Sequence, residues 1–72
     1  MRYRITNTGE DFMVFLLEEI QDGEASKGVT ALYFTMKTIA ESNGRPLGKI
    51  FANKEFADAL SGLEREGYVE TY

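Results

Sequence analysis

The fold is decided by residues 53–72, which read NKEFADALSGLEREGYVETY. Asn53 is a good N-cap residue, so we expect a helix over residues 54–66. Its apolar side chains recur at helical spacing, with two alanines beside them: Phe56, Leu60, Leu63, Ala57 and Ala59. Gly67 is placed to end the helix in a left-handed conformation. Residues 68–72 alternate in polarity and are predicted to form a strand.

Gly62 lies inside this predicted third helix. A glycine there costs up to about 1 kcal/mol relative to alanine. We therefore expect another backbone to approach the helix closely at Gly62.

Residues 2–6 also alternate with a period of two, which predicts a short strand with Tyr3 and Ile5 on its buried face. Since no other stretch alternates as well, we expect this strand to pair antiparallel with residues 68–72. Arg2 or Arg4 would then lie across from Glu70.

A first helix is predicted to begin at Gly9 or Glu10, with Thr8 as its N-cap and Asp11 at capping-box spacing. Gly23 is the predicted stop. Its apolar residues form an unusually wide stripe, more than one partner helix needs: Phe12, Met13, Val14, Phe15, Leu16, Leu17 and Ile20. We expect this helix to serve both the internal core and a second copy of the chain, since a domain this small buries only about 60–65% of its unfolded surface and is thinly stable.

A second helix follows, with Ser26 or Thr30 as its cap and Asn43-Gly44 at its end. It has the clearest helical periodicity in the chain, at Val29, Leu32, Tyr33, Met36, Ile39 and Ala40. Phe34 falls off this stripe. Residues 47–52 fit a short helix, although an extended segment is not excluded by so short a pattern. Most of the aromatic and methionine residues are predicted to be core.

The chain therefore has the composition of one α+β domain over residues 1–72, with three main helices and a small two-stranded antiparallel sheet. It contains no cysteine and no histidine, so the common metal ligands and catalytic bases are missing. No carboxylate pair or glycine motif matches a catalytic, nucleotide or calcium site. We expect no enzyme activity and no cofactor. The sequence also lacks a membrane span and a signal peptide, which makes the cytoplasm the default location.

The formal net charge is −4 and the isoelectric point is about 4.7. The charge is +2 over residues 1–9, −6 over 10–24, +4 over 25–54 and −4 over 55–72. An acidic total disfavours general phosphate binding, but the positive charge is concentrated in the middle of the chain.

Two stretches resemble the winged-helix DNA-binding superfamily. Residues 59–70, ALSGLEREGYVE, are similar to the recognition helix and the first strand of the wing. Residues 3–10, YRITNTGE, are similar to the strand that leaves the wing and turns into a helix. Together they cover about twenty residues. Because the second stretch precedes the first, the resemblance implies a permuted winged helix.

On this resemblance, the second predicted helix corresponds to the family's first helix, residues 47–52 to the positioning helix, and residues 54–66 to the recognition helix. The turn before Asn53 is shorter than a standard helix-turn-helix needs. The resemblance implies a small transcriptional regulator that binds duplex DNA as a homodimer. The basic residues that we expect to contact nucleic acid are Arg45, Lys49, Lys54 and Arg65.

The alternative is a protein-interaction module that has a winged-helix-like scaffold and does not bind DNA. It is favoured by the acids on the third helix, since carboxylates repel phosphates. These acids are Glu55, Asp58, Glu64 and Glu66.

Overall fold

The two terminal strands pair with each other, as the alternating patterns predict. In the computed structural model, which describes residues 2–45 and 54–72, β1 (Tyr3–Ile5) runs antiparallel to β2 (Val69–Thr71). The register sets Tyr3 opposite Thr71, Arg4 opposite Glu70, and Ile5 opposite Val69. Both strands are shorter than predicted.

Between the strands, the described residues form three helices: α1 (Asn7–Gln21), α2 (Lys27–Ser42) and α3 (Lys54–Arg65). Together with the two-stranded sheet they confirm the predicted α+β class. The predicted short helix over residues 47–52 and the predicted cap at Asn53 lie outside the described residues. α3 ends one residue earlier than predicted.

The start of α1 differs from the prediction. Thr6, and not Thr8, is the N-cap: its backbone is extended, and its Oγ1 accepts a 3.0 Å hydrogen bond from the Gly9 N–H. Asp11 therefore has no capping-box position. Contacts with residues distant in the sequence select Thr6 as the cap. Its N–H donates to the Tyr68 carbonyl at 3.1 Å, and its hydroxyl donates to the Gly67 carbonyl at 2.7 Å. Contact with the turn before β2 fixes where the strand stops and the helix begins.

Gly9 is the glycine at which another backbone comes close. It is buried, and a Cβ placed there would collide with the Tyr68 carbonyl oxygen and would lie 2.9 Å from Ile5 Cγ2. By contrast, apart from the backbone of α3 itself and the two chain neighbours, no atom of the described residues lies within 4 Å of a Cβ built on Gly62. The predicted close approach at Gly62 is wrong, since helical propensity alone does not show which glycine faces a neighbour.

The predicted Ser26 cap of α2 and the predicted stops at Gly23, Asn43 and Gly67 are confirmed. Ser26 caps α2 by accepting a 3.2 Å hydrogen bond from the Val29 N–H. Asn43 has a φ of 51°, and Gly67 has a φ of 80°, which is the left-handed conformation that stops a helix. Gly23 follows α1 with a φ of 75°.

The core lies where α2 meets α1, α3 and β1. The buried hydrophobic residues among those described come from all five elements: Tyr3, Leu16, Met36, Ile39, Leu60, Leu63 and Val69. Met36 of α2 is fully buried, and truncating such a side chain typically costs 2–5 kcal/mol. α2 is therefore the element on which α1, α3 and β1 pack, whereas β2 packs on β1 and α3.

Not all of the predicted core is buried. Val14, Phe15, Phe34 and Tyr72 are exposed by 52–59%. Phe34 was predicted to lie off the stripe of its helix. Val14 and Phe15 lie beyond the part of α1 that α2 and the sheet cover, so the widest part of the predicted stripe faces outward.

Gly9→Ala and Gly62→Ala should change stability in opposite directions. Alanine at Gly9 forces the Tyr68 carbonyl away, and we expect the free energy of unfolding to fall by about 1–3 kcal/mol. Alanine at Gly62 meets open space and favours the helix, so it should add up to about 1 kcal/mol. Urea unfolding followed by circular dichroism measures both. Equal effects of the two substitutions would contradict the packing at Gly9.

Stability should also fall in alkaline solution because of Tyr3. Burial, and secondly the Glu64 carboxylate, raises the pKa of the Tyr3 phenol above its ordinary value of 10.0. The folded chain therefore keeps the phenol protonated where the unfolded chain ionises it. This contribution to stability is complete below about pH 10 and is lost as pH rises towards the folded-state pKa.

The test compares the chain with Tyr3→Phe in urea unfolding from neutral pH to beyond pH 10. The variant should lose stability less steeply above pH 10, whereas the two proteins should respond to pH alike near neutrality. Parallel curves over the whole range would show that the Tyr3 phenol is not protected by burial.

Candidate nucleic-acid interface

The outward side of α3 carries a row of polar residues, Lys54, Asp58, Ser61 and Arg65, which we call the α3 ridge. At 100° per residue, these positions lie within about 60° of one another. Leu60 and Leu63 are buried on the opposite side of the helix. Lys54 and Arg65 are both exposed and stand roughly 17 Å apart along the axis.

The acids of α3 are mostly off this ridge. Glu55 and Glu64 lie about 80–100° to either side of Lys54, and Glu66 follows the last helical residue. The charge of Glu64 acts on the Tyr3 phenol of β1 and helps to raise its pKa. The ridge itself therefore carries two bases and one acid. This balance favours phosphate binding more than that of α3 as a whole, which has two bases and three acids.

Of the predicted nucleic-acid residues that the structure describes, two lie on one helix face. Arg45 is exposed just after α2, where its N–H donates to the Ser42 carbonyl at 3.0 Å. Lys49 lies outside the described residues. Lys54 is at the first turn of α3 and Arg65 at the last, so only this pair shares one helix face.

On the outer face of the sheet, Arg4 already has partners. Its Nε donates to Glu70 Oε1 at 2.6 Å, and its guanidinium carbon lies 5.1 Å from the centre of the Tyr72 ring. Of the two arginines predicted to face Glu70, it is Arg4 that does so. Both side chains are about half exposed, so the ion pair contributes no more than about 1 kcal/mol. The stacking on Tyr72 was not predicted, because nothing local in the sequence links residues 4 and 72.

An apolar groove runs along the side of α3 next to the ridge. Its larger part, of about 510 Å³, lies between the first turns of α2 and the first half of α3, and its charged lining residues are Lys27, Glu55 and Asp58. Its smaller part, of about 200 Å³, is closed by Phe12 of α1 and by Tyr68, and Leu32 lines both parts. Small residues keep it open: Gly28, Ala31, Ala59 and Gly62. The sequence contains these small residues, but their alignment across two helices needs the tertiary structure.

A row of stacked rings borders the smaller part of this groove. Phe12 stacks on Tyr68 with ring centres 4.2 Å apart and planes at 12°. Phe15 continues the row, 6.3 Å from Phe12 and at 16° to it. Phe15 is 52% exposed, so the row ends in a ring that faces solvent.

The acidic residues do not assemble into a metal site in the described part of the chain. No group of three or more carboxylates there is placed to hold an ion. Glu18, Asp22 and Glu24, which end α1 and begin the next loop, are exposed.

Within residues 2–45 and 54–72, no helix has the length and apolar character to cross a membrane. No protein-family model matches the chain, and neither curated proteins nor solved structures give a match.

Proposed function

We propose that the chain is a small cytoplasmic regulatory protein of winged-helix type that binds duplex DNA through the α3 ridge. The single observation that carries the proposal is the position of the charges on α3. Lys54, Ser61 and Arg65 point away from the core with only Asp58 among them, so one exposed helix face presents two cations and a hydroxyl. Cations and hydroxyls are the groups that bind phosphate oxygens.

The sheet supports the same proposal by its position. β2 follows α3 after the turn at Gly67, and Thr6 ties β1 to this turn. A helix that leads directly into a two-stranded sheet is the arrangement that the resemblance to winged helices implies. Arg4 contributes less than its charge suggests, because Glu70 neutralises it.

A second candidate, a protein-interaction module without DNA binding, is favoured by the apolar groove and the exposed ring of Phe15. The two candidates differ in their response to salt. DNA binding driven by phosphate neutralisation weakens steeply as ionic strength rises, whereas contact between apolar surfaces does not.

Lys54→Gln should reduce the dependence of DNA affinity on salt. Each phosphate contact contributes about 0.9 to the slope of log K against log salt concentration, so the variant should lose about one contact. Fluorescence anisotropy with a random-sequence duplex, from roughly 20 to 200 mM salt, gives the slope.

Lys37→Gln is the matched control. Lys37 is also exposed, but it lies about 160° around α2 from Thr35, which lines a hollow together with Glu55 and Phe56 of α3. It should leave the slope unchanged. If the unmodified chain shows no binding at the lowest salt concentration, the DNA proposal is wrong and the interaction module is favoured.

A further inference from the structure

The side of α1 turned away from the core is a stripe of exposed residues. We call it the α1 stripe, and it consists of Asp11, Val14, Phe15, Glu18 and Asp22. At 100° per residue these positions lie within about 100° of one another, and the buried Leu16 lies on the opposite side of the helix. Val14 is 59% exposed and Phe15 is 52% exposed, so the centre of the stripe is an apolar surface in contact with water.

The apolar centre of the α1 stripe is flanked by acids and by no base. Asp11 lies one turn before the apolar pair, and Glu18 lies one turn after it. Asp22, the residue that caps the end of the helix, continues the stripe. In the described part of the chain the ion pair is that of Arg4 with Glu70 in the sheet, so these acids form no ion pair with a described base.

Two of these acids lie where a helix disfavours negative charge. Glu18 is in the last turn of α1 and Asp22 follows that turn, which contains no base. The carboxyl end of a helix is the negative end of its dipole, so carboxylates there lower its stability and cations beside it raise it. Cationic groups held against the stripe therefore pair with its acids and also stabilise the end of α1.

We propose that the α1 stripe binds a cationic amphipathic helix of another protein. Apolar side chains of this partner cover Val14 and Phe15, while its lysines or arginines reach Asp11 and Glu18. An aromatic ring surrounded by polar residues is a typical anchor of a protein interface. Opposite charges around the anchor then select the partner.

The charge of the α1 stripe disfavours other occupants. Nucleic acids and anionic membrane surfaces carry the same sign of charge as residues 10–24, whose net charge is −6. A second copy that presented the same stripe would set acids against acids, which lowers the affinity of an interface. The stripe also lies on a different helix from the α3 ridge, so the proposal does not depend on DNA binding.

The probe that tests the proposal is a synthetic amphipathic helix of 15 residues, the length of α1, with leucines on one face and lysines beside them. Isothermal titration calorimetry with the intact chain should give a one-to-one complex. A peptide with the same leucines and with glutamates in place of the lysines should not bind, because its charges repel those of the stripe. Lys54→Gln should leave the affinity for the cationic peptide within about two-fold at roughly 0.15 M salt.

Two pairs of matched variants separate the apolar contact from the charge. Phe15→Ser should weaken binding of the cationic peptide at least about ten-fold, as expected for an interfacial anchor. Phe34→Ser is its control, because Phe34 is 55% exposed but lies on α2, and it should change the affinity less than about three-fold. Glu18→Lys should weaken binding at least about five-fold by placing like charges together. Glu41→Lys makes the same change on an exposed residue of α2 and should alter the affinity less than about two-fold at roughly 0.15 M salt. Circular dichroism should show that all four variants are folded.

The proposal is overturned if the cationic peptide does not bind, if the glutamate peptide binds equally well, or if the two members of either pair weaken binding alike. Sedimentation equilibrium of the chain alone tests the second copy as occupant. A dimer that Phe15→Ser dissociates would overturn the proposal, whereas a chain that stays at its monomer mass of 8.1 kDa supports it. Because all of these measurements are made without DNA, failure of this proposal and failure of DNA binding are distinguishable.

Discussion

The structure depends on the hydrogen bonds that meet at Thr6. Its N–H donates to Tyr68, its hydroxyl donates to Gly67, and the same hydroxyl accepts from Gly9. One residue thus ends β1, caps α1 and holds the turn between α3 and β2. A single such bond contributes about 0.5–1.5 kcal/mol, which is comparable to or greater than an exposed ion pair such as Arg4–Glu70. Gly9 makes this geometry possible, since any side chain there would separate α1 from the backbone of Tyr68.

The proposed functional surfaces follow from this junction. Because Thr6 fixes α1 against the turn after α3, Phe12 stacks on Tyr68 and closes one end of the groove. On α3, which this turn follows, Leu60 and Leu63 face inward and the α3 ridge faces outward. The ridge and the groove are adjacent sides of one helix and share Asp58 and Arg65. DNA binding through the ridge and a protein contact through the groove would therefore lie side by side on this molecule.

Features encoded locally could be predicted from the sequence. The alternation at residues 2–6 and 68–72 predicted the strand pairing, and the Ser26 cap and the stops at Gly23, Asn43 and Gly67 were predicted by short-range chemistry. The errors have a common cause. Thr8 and Thr6 are equally good capping residues, and only contact with Gly67, sixty-one positions away, selects Thr6.

Long-range contacts also decided where the glycines and the charged residues were mispredicted. Which glycine faces a backbone, which residue stacks with Arg4, and which small residues line a common groove are all decided by long-range packing. The four bases predicted to bind nucleic acid were chosen by local charge alone. In the described part of the chain, only Lys54 and Arg65 were placed on one face.

The most direct test of the account is amide hydrogen exchange at Thr6, measured by NMR. If the junction organises the fold, the Thr6 amide is released only when the whole domain opens, and it should exchange as slowly as the amide of the buried Met36 in α2. Exchange of Thr6 at the rate of an exposed loop amide, while Met36 remains protected, would show that the strands and α1 are held together by something other than this residue.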